Sequence, residues 1–332
     1  MHVLITGCAG FIGSHVAQAL LTQGHEVVGI DAFTDYYARS AKERNLDVVQ
    51  RYDGFTFHEI DLRLDALHGV LTGCDAVVNL AAMPGLPRSW SDFEGYSSCN
   101  LLATQRLAQA ALDVGVSRFV HASTSSVYGR HAVGDETLPT RPVSPYGVTK
   151  LAAEHLLMAY HEERGLPAVI LRYFSIYGPR QRPDMAYHIF AESLLSGRPL
   201  TVHGDGGQSR SSTYIGDCVR GTLAALQEAP VGEVYNIGGG QVVTLLEALS
   251  LLAELSDTTP RISFGPRRAG DQGHTAADTG KAARAFGYAA TTSPLDGLRH
   301  QLDWHVQCRT GLGHEVLVPG PRERSRRPAR SQ

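Results

Sequence analysis

Seven residues near the start of the chain, Gly7-Cys8-Ala9-Gly10-Phe11-Ile12-Gly13, restrict the fold more than any other segment. They follow the apolar run His2-Val3-Leu4-Ile5-Thr6, which reads as a buried strand. They lead into residues 14–23, where Val16, Leu20 and Leu21 recur at helical spacing. Glycines at such a strand-to-helix turn let the chain turn tightly, approach a bound group closely and pack helix against strand. The helix start adds unpaired N–H groups and a partial positive charge, which suit phosphate oxygens. The expected ligand is a dinucleotide pyrophosphate held at Gly7, Gly10, Phe11, Ile12 and Gly13. A GxxGxxG triplet is weak alone, but Val27-Val28-Gly29-Ile30-Asp31 reads as the next strand and closes on an acid. Asp31 is placed to accept hydrogen bonds from both adenosine ribose hydroxyls, which favours NAD over NADP.

The rest of the chain continues the alternation. Strands are expected at 2–6, 26–31, 55–60, 76–80, 118–123 and 167–173, and helices at 13–23, 63–71, 94–115 and 146–164. This is the pattern of an α/β fold, a Rossmann-type doubly wound parallel sheet. After Gly178, glycine and proline become denser. Short strands at 201–203 and 234–237 then alternate with helical patterns at 185–196, 216–228 and 244–255. The expected division is an NAD-binding domain over 1–174, with 212–240 returning to it. A smaller, interleaved substrate-binding lobe follows over 175–310. Residues 319–332 are basic and proline-rich, so 311–332 is expected to be a disordered tail.

Composition narrows the function classes. A net charge of −3 argues against a general nucleic-acid binder. The five cysteines are scattered without a CxxC, as in reduced cytoplasmic proteins, and no metal site is expected. A signal peptide and a membrane span are not expected, since the first strand begins at residue 2 and no apolar run is long enough to cross a membrane.

The second chemical motif is Tyr146-Gly147-Val148-Thr149-Lys150, at the start of a helical stretch. Residues four apart share a helix face. A lysine ammonium beside a phenol favours the phenolate, so Lys150 is expected to lower the Tyr146 pKa from about 10. So tuned, Tyr146 can take a proton from a sugar hydroxyl while hydride leaves the same carbon. Twenty-two residues before Tyr146, Thr124 stands at the carboxyl end of the 118–123 strand, where it could hydrogen-bond the reacting hydroxyl.

Together these residues resemble the extended short-chain dehydrogenase/reductase family of NAD-dependent nucleotide-sugar epimerases and dehydratases. The likeness runs from residue 1 to about 305. It rests on Thr-Gly-x-x-Gly-Phe-Ile-Gly, Asp31, Asp61-Leu62, Asn79-Leu80-Ala81-Ala82, Asn100, the Ser/Thr run before Val127-Tyr128-Gly129, Ser144-Pro145-Tyr146, Lys150 and Arg172-Tyr173-Phe174. The resemblance implies that Asp61 and Leu62 hold the adenine and that Leu80, Ala81 and Ala82 line the cofactor channel. It adds Asn100 and Tyr173 to the cofactor site. Tyr146 and Lys150 contact the nicotinamide ribose, and Thr124, Tyr146 and Lys150 form the catalytic triad. It also implies a homodimer, through a four-helix bundle built from helices 94–115 and 146–164.

The resemblance extends to a UDP-sugar substrate. Gly204-Asp205-Gly206-Gly207-Gln208-Ser209-Arg210 and Arg268-Ala269-Gly270-Asp271 look like the two segments whose arginines grip a diphosphate. A guanidinium fork matches its oxygens. The family's usual Arg-Asp-Phe/Tyr is absent, since Arg210 is followed by Ser211-Ser212-Thr213. Within the family, 4,6-dehydratases carry Asp-Glu after the catalytic threonine, and UDP-glucuronate decarboxylases usually carry a glutamate at the second place. Here those places hold Ser125 and Ser126. Simple 4-epimerisation therefore remains. The segments Asp31-Ala32-Phe33-Thr34-Asp35-Tyr36-Tyr37 and Arg182-Pro183-Asp184-Met185-Ala186 resemble UDP-glucuronate 4-epimerases. On that likeness Ser125, Ser126, Ser175 and Arg182 surround the sugar carboxylate. Pro87 replaces an arginine often found in those enzymes, and Arg88, one place later, is the expected substitute. A neutral UDP-glucose or N-acetylhexosamine epimerase, a decarboxylase and a non-catalytic NAD sensor stand as the alternatives.

Overall fold

The computed structural model describes residues 1–310, and the expected basic tail at 311–332 lies outside the described residues. Seven strands form the main sheet: β1 (His2–Thr6), β2 (Glu26–Asp31), β3 (Phe55–Glu59), β4 (Ala76–Asn79), β5 (Arg118–Thr124), β6 (Ala168–Tyr173) and β7 (Glu233–Ile237). Their order is β7-β6-β5-β4-β1-β2-β3, and every neighbouring pair is parallel. The chain winds outward from β1 to β3, returns to β4 and winds the other way. The order therefore reverses between β1 and β4, where open α/β sheets place ligands beyond the strand carboxyl ends.

Strands buried on both faces read as near-continuous apolar runs, and β1 does so with Val3, Leu4 and Ile5 all inaccessible to solvent. Val3 and Ile5 pack on one side with Val16 and Leu20 of the helix Phe11–Thr22 and Leu223 of the helix Ile215–Glu228. Leu4 packs on the other with Leu107 of the helix Ala103–Val114 and Leu157 of the helix Pro145–Arg164. Strand β7 adds to the sheet edge beside β6 by pairing Glu233–Ile237 with Val169–Tyr173, so the chain re-enters the sheet after residue 178.

Two helical expectations change, and two further helices appear. The stretch 63–71 is helical only at His68–Leu71. Upstream, the Asp65 carboxylate accepts from the Asp61 backbone N–H at 2.7 Å and that of Asp61 from Arg63 N–H at 2.9 Å, which holds a turn instead. The stretch 94–115 divides into Phe93–Ser97, a π-helical turn at Ser98–Leu102, and Ala103–Val114. The helices Arg39–Val49 and Pro294–Thr310 carry few of the apolar repeats that mark the others, and the periodicity reading passes over both.

The smaller part is built of short strands. Val243–Thr244, Ser209–Arg210, His274–Ala277 and His131–Gly134 form a four-stranded sheet in that order. It brings Arg210 and the segment before His274 over the carboxyl ends of the main strands. Among the described residues, no helix is long and apolar enough to cross a membrane.

Candidate active site

The glycine turn has the geometry that its sequence demands. Gly7 adopts a φ of 68°, and a Cβ on Gly13 would lie 2.2 Å from the Gly7 carbonyl oxygen. Only glycine fits either place. The helix Phe11–Thr22 starts from Gly10 with no side-chain cap and no acid in its first turn, so its leading N–H groups remain available to an anion. Across the turn, Asp31 accepts from the Phe33 N–H at 2.8 Å and pairs with Lys42 at 3.4 Å. Lys42 sits on the helix that the sequence reading passed over.

Gly7, Gly10, Phe11, Ile12, Gly13 and Asp31 line one end of a cavity of about 350 Å3. Leu80, Ala81, Ala82 and Tyr173 line its middle, and Thr124, Tyr146 and Lys150 lie on the same wall system. Local structure explains the last three. Strand β5 ends at Thr124, whose hydroxyl accepts from the Ser126 N–H at 3.1 Å and so caps the short turn Ser125–Tyr128. Ser144 caps the helix Pro145–Arg164 by accepting from the Gly147 N–H at 3.1 Å, with proline in the first turn. That start fixes Tyr146 in the first turn and Lys150 one turn on.

Burial pushes the Tyr146 phenol above its ordinary value, opposed by a hydrogen bond with Thr124 and by the Arg182 charge. Burial also lowers Lys150 to about 8, opposed by Glu154. Within the protein alone, burial thus favours the uncharged form of both groups.

The substrate side of the cavity carries Ser125, Ser126, Ser175, Arg182 and Arg210. Ser125 donates to Gln272 Oε1 at 3.0 Å, and Gln272 Nε2 donates to the carbonyls of Ser125 and Gly129 at 3.0 and 2.8 Å. Ser175 holds a φ of 41°, unusual for a residue with a side chain. The missing acid after Arg210 is replaced by carbonyls: its guanidinium donates to Ser209, Gly273 and Gln272 oxygens at 2.9, 3.1 and 2.6 Å. Arg210 also borders a second cavity of about 290 Å3, along with Arg268 and Asp271. The two share Gly85, Leu86, Ser175, Ile176 and Met185 as well, so they form one continuous cleft.

Four sequence-derived site residues fall outside the lining of both cavities. The Asp61 carboxylate is gripped by Arg63 at 2.6 to 3.1 Å, and Leu62 is buried in the core beneath. Asn100 clamps Met83, accepting from its N–H at 2.7 Å and donating to its carbonyl at 3.1 Å, and reaches Thr149 at 3.0 Å. It braces the wall behind the cavity. The Arg88 guanidinium is turned to Asp92 and the Asp35 carbonyl, at 3.2 and 2.7 Å.

Sequence reading also missed the groups beneath the site. Glu154, one turn beyond Lys150, is buried in a fork with Arg172 at 2.6 to 3.2 Å. His121 on β5 is inaccessible to solvent and meets Lys150 at 3.2 Å. Elsewhere, His188, Glu192 and His305 bring three potential metal donors within 4.8 Å of one another. The Glu192 carboxylate is already engaged by His305 at 2.7 Å and Arg309 at 2.9 Å.

A glycine turn, a terminal acid and a Thr/Tyr/Lys group on one cleft have counterparts in known proteins. The profile of the NAD dependent epimerase/dehydratase family matches residues 3–238. The chain belongs to that family. Among family relatives, a UDP-glucuronate 4-epimerase of Thermodesulfobacterium geofontis is 34% identical over 310 residues, 91% of this chain and 95% of that one. A Bacillus subtilis protein described as an uncharacterized UDP-glucose epimerase is 42% identical over 306 residues, 91% of this chain and 97% of its own. The crystal structure of UDP-glucuronic acid 4-epimerase from Bacillus cereus, in complex with UDP-glucuronic acid and NAD, has a TM-score of 0.90 and 43% identity. It covers 93% of this chain and 100% of that chain. The Rossmann-type sheet and the enzymatic character of this family member follow from that relationship.

Proposed function

We propose that the chain is an NAD-dependent UDP-glucuronate 4-epimerase, which interconverts UDP-glucuronate and UDP-galacturonate. One observation carries the choice of reaction. Thr124, Tyr146 and Lys150 share a cavity with Ser125, Ser126, Ser175 and Arg182, and no carboxylate stands at positions 125 and 126 to drive elimination. NAD, when bound, would supply reversible hydride acceptance at sugar carbon 4.

The chain's own residues divide the remaining work. Gly7, Gly10, Phe11, Ile12 and Gly13 hold the pyrophosphate and Asp31 the adenosine ribose. Leu80, Ala81, Ala82 and Tyr173 exclude water along the channel. Thr124 orients the carbon-4 hydroxyl, and the Tyr146–Lys150 pair takes up its proton and gives it back. Arg210 and Arg268 bind the diphosphate. Serine hydroxyls and the Arg182 fork receive the sugar carboxylate. That grip also opposes loss of carbon dioxide from the β-keto acid.

In this reading residues 1–174 and 212–240 carry the cofactor, and the rest of 175–310 closes over the sugar nucleotide. The enzyme works as a cytoplasmic homodimer. Leu102 and Val148, exposed apolar residues on the two segments expected at the dimer interface, support that assembly.

The test is product analysis by NMR after incubation with UDP-glucuronate and no added reductant. UDP-galacturonate is expected; UDP-xylose or a 4-keto pentose instead would sink the proposal. A neutral UDP-glucose substrate is the second reading, favoured by the fork that Asp184 already makes with Arg182 at 3.0 Å. Turnover of UDP-glucose with none of UDP-glucuronate would establish it.

A further inference from the structure

A further cavity, of about 210 Å3, lies between the helix Arg39–Val49, the segment before Asp184 and the helix Pro294–Thr310. The glycines of the cofactor turn do not line it, and neither do Arg210 and Arg268. It is therefore separate from both the pyrophosphate end and the diphosphate end of the cleft. Arg44, Arg180 and Arg182 line it, and no aspartate or glutamate does. The remaining titratable wall group of the imidazole type, His188, is lowered to about 4 by burial and stays uncharged at neutral pH. The charge facing this space is thus carried by three guanidiniums.

Arg180 is the most telling of the three. It is 5% exposed, and its guanidinium donates to Ser14 Oγ at 3.2 Å and Gln18 Oε1 at 2.5 Å. Both acceptors are neutral, and the other N–H groups of the fork have no protein acceptor among the described residues. Burial lowers Arg180 to about 10, with no carboxylate opposing it. A buried cation without a counter-charge is costly, and an anion in the cavity would remove that cost. The acids behind the walls are already engaged. Asp184 forks onto Arg182 at 3.0 Å, and Glu192 meets His305 at 2.7 Å and Arg309 at 2.9 Å.

We propose that the cavity walled by Arg44, Arg180 and Arg182 is a second anion site that takes a phosphate group, and that its occupant weakens the hold of Arg182 on an acidic sugar. Guanidinium forks match phosphate oxygens. The volume suits a phosphate group and not a whole nucleotide, whose pockets run to several hundred Å3. The group arrives as the free anion or on a small monoester, whose organic part would meet Trp304 and Tyr37 on the same walls. Arg182 lines both this cavity and the cleft, so one guanidinium faces both ligands. Two anions sharing one cation repel each other, and each weakens the other's binding by the same factor. The effect on the sugar rests on the epimerase reading; the anion site itself does not.

The test uses full-length protein saturated with NAD and UDP, so that the cleft is occupied. Calorimetric titration with inorganic phosphate should show saturable binding with a Kd near or below about 1 mM, the worth of two charged hydrogen-bond partners. Arg44→Gln and Arg180→Gln should each weaken it at least about tenfold. Phenyl phosphate in a parallel titration separates the sources: tighter binding identifies a monoester, and equal or weaker binding the free anion. In kinetics, phosphate should raise the KM for UDP-glucuronate to a plateau about fivefold higher. Arg44→Gln should abolish that rise and keep wild-type kcat and KM without phosphate. Absence of saturable binding overturns the proposal, as does binding that ignores Arg44→Gln. A KM that climbs linearly without a plateau also overturns it, since phosphate then competes inside the cleft. If Arg180→Gln does not fold, Arg44→Gln still decides. The calorimetry needs no turnover, so its failure is separate from failure of the epimerase assignment.

Discussion

Arg182 and Asp184 are joined by two hydrogen bonds of 3.0 Å, one from Nε and one from a terminal nitrogen of the guanidinium. Tyr36 donates to the same carboxylate at 3.2 Å. Although burial raises it, Asp184 is held below its ordinary range by Arg182. The cation that faces Tyr146 is therefore aimed by a partner and only part of its charge is free for a ligand. Arg182→Ala should raise the KM for UDP-glucuronate about 10- to 100-fold, the worth of one charged hydrogen-bond pair, with little change for UDP-glucose. Asp184→Asn, which releases charge on Arg182 but loosens its aim, should lower KM or kcat for the acidic sugar and not both equally. Steady-state kinetics on both sugars checks this; equal loss for the neutral sugar would reassign Arg182 to loop anchoring.

The glycine turn gives a sharper steric prediction. Because a Cβ on Gly13 would meet the Gly7 carbonyl oxygen at 2.2 Å, Gly13→Ala must displace the turn that cradles the pyrophosphate. NAD affinity, read from retention through gel filtration, should fall about 5- to 150-fold, in line with the ~1–3 kcal/mol cost of overpacking. Gly69 has nothing within 4 Å of its would-be Cβ, so Gly69→Ala serves as a control and should leave NAD content unchanged.

The contrast between these residues shows what a sequence exposes. The glycine loop, Asp31 and the Tyr146–Lys150 spacing were legible because each is a local rule: a turn, a strand end, one helical turn. The strands were legible because burial on both faces writes an apolar run. Helix Arg39–Val49 was not, since its buried face includes the polar Lys42 and Asn45, and Lys42 beside Asp31 went unseen with it. Gln272 and Ser125 are far apart in sequence and meet only through the small sheet. Arg88 looked like a one-place shift of a lost arginine, and the structure turns it to Asp92. The contact of His121 with Lys150 joins a strand to a helix and cannot be read from spacing.

Glu192 ties the helix Ala186–Ser196 to Pro294–Thr310. A hydrogen bond from His305 and another from Arg309 lower its pKa from 4.5 to about 2, against partial burial. A depressed carboxylate contributes stability that is complete above its unfolded value and disappears as pH falls through the folded one. The window here runs from about 4.5 down to about 2. The Glu192 side chain is 30% exposed, so solvent screens part of the effect. Across that window wild type should lose only about 1–3 °C more in Tm than Glu192→Gln does. Thermal melts of both proteins at several pH values test the sign; a variant that loses more on acidification would contradict it.

The pH dependence of turnover follows from the Tyr146–Lys150 pair taken as a unit. With two protons, phenol and ammonium, the pair has no place for the proton of the sugar hydroxyl. With one proton it can accept. The amine form of Lys150 prevails above about 8, and burial keeps the first proton on the raised Tyr146 phenol. Turnover should therefore fall as pH drops through the pair's apparent pKa, approaching tenfold per unit, and level off above it. A positively charged nicotinamide nearby disfavours the two-proton state, so the midpoint should lie at or below about 8. Tyr146→Phe should cost about 10²- to 10⁴-fold in kcat, the usual weight of a general acid–base group. The same variant should lose the acidic limb, because no phenol remains to pass the proton. Binding of UDP-glucuronate by calorimetry should be nearly unchanged in this variant. An acidic limb that persists in Tyr146→Phe would assign the titration to some other group in the cleft.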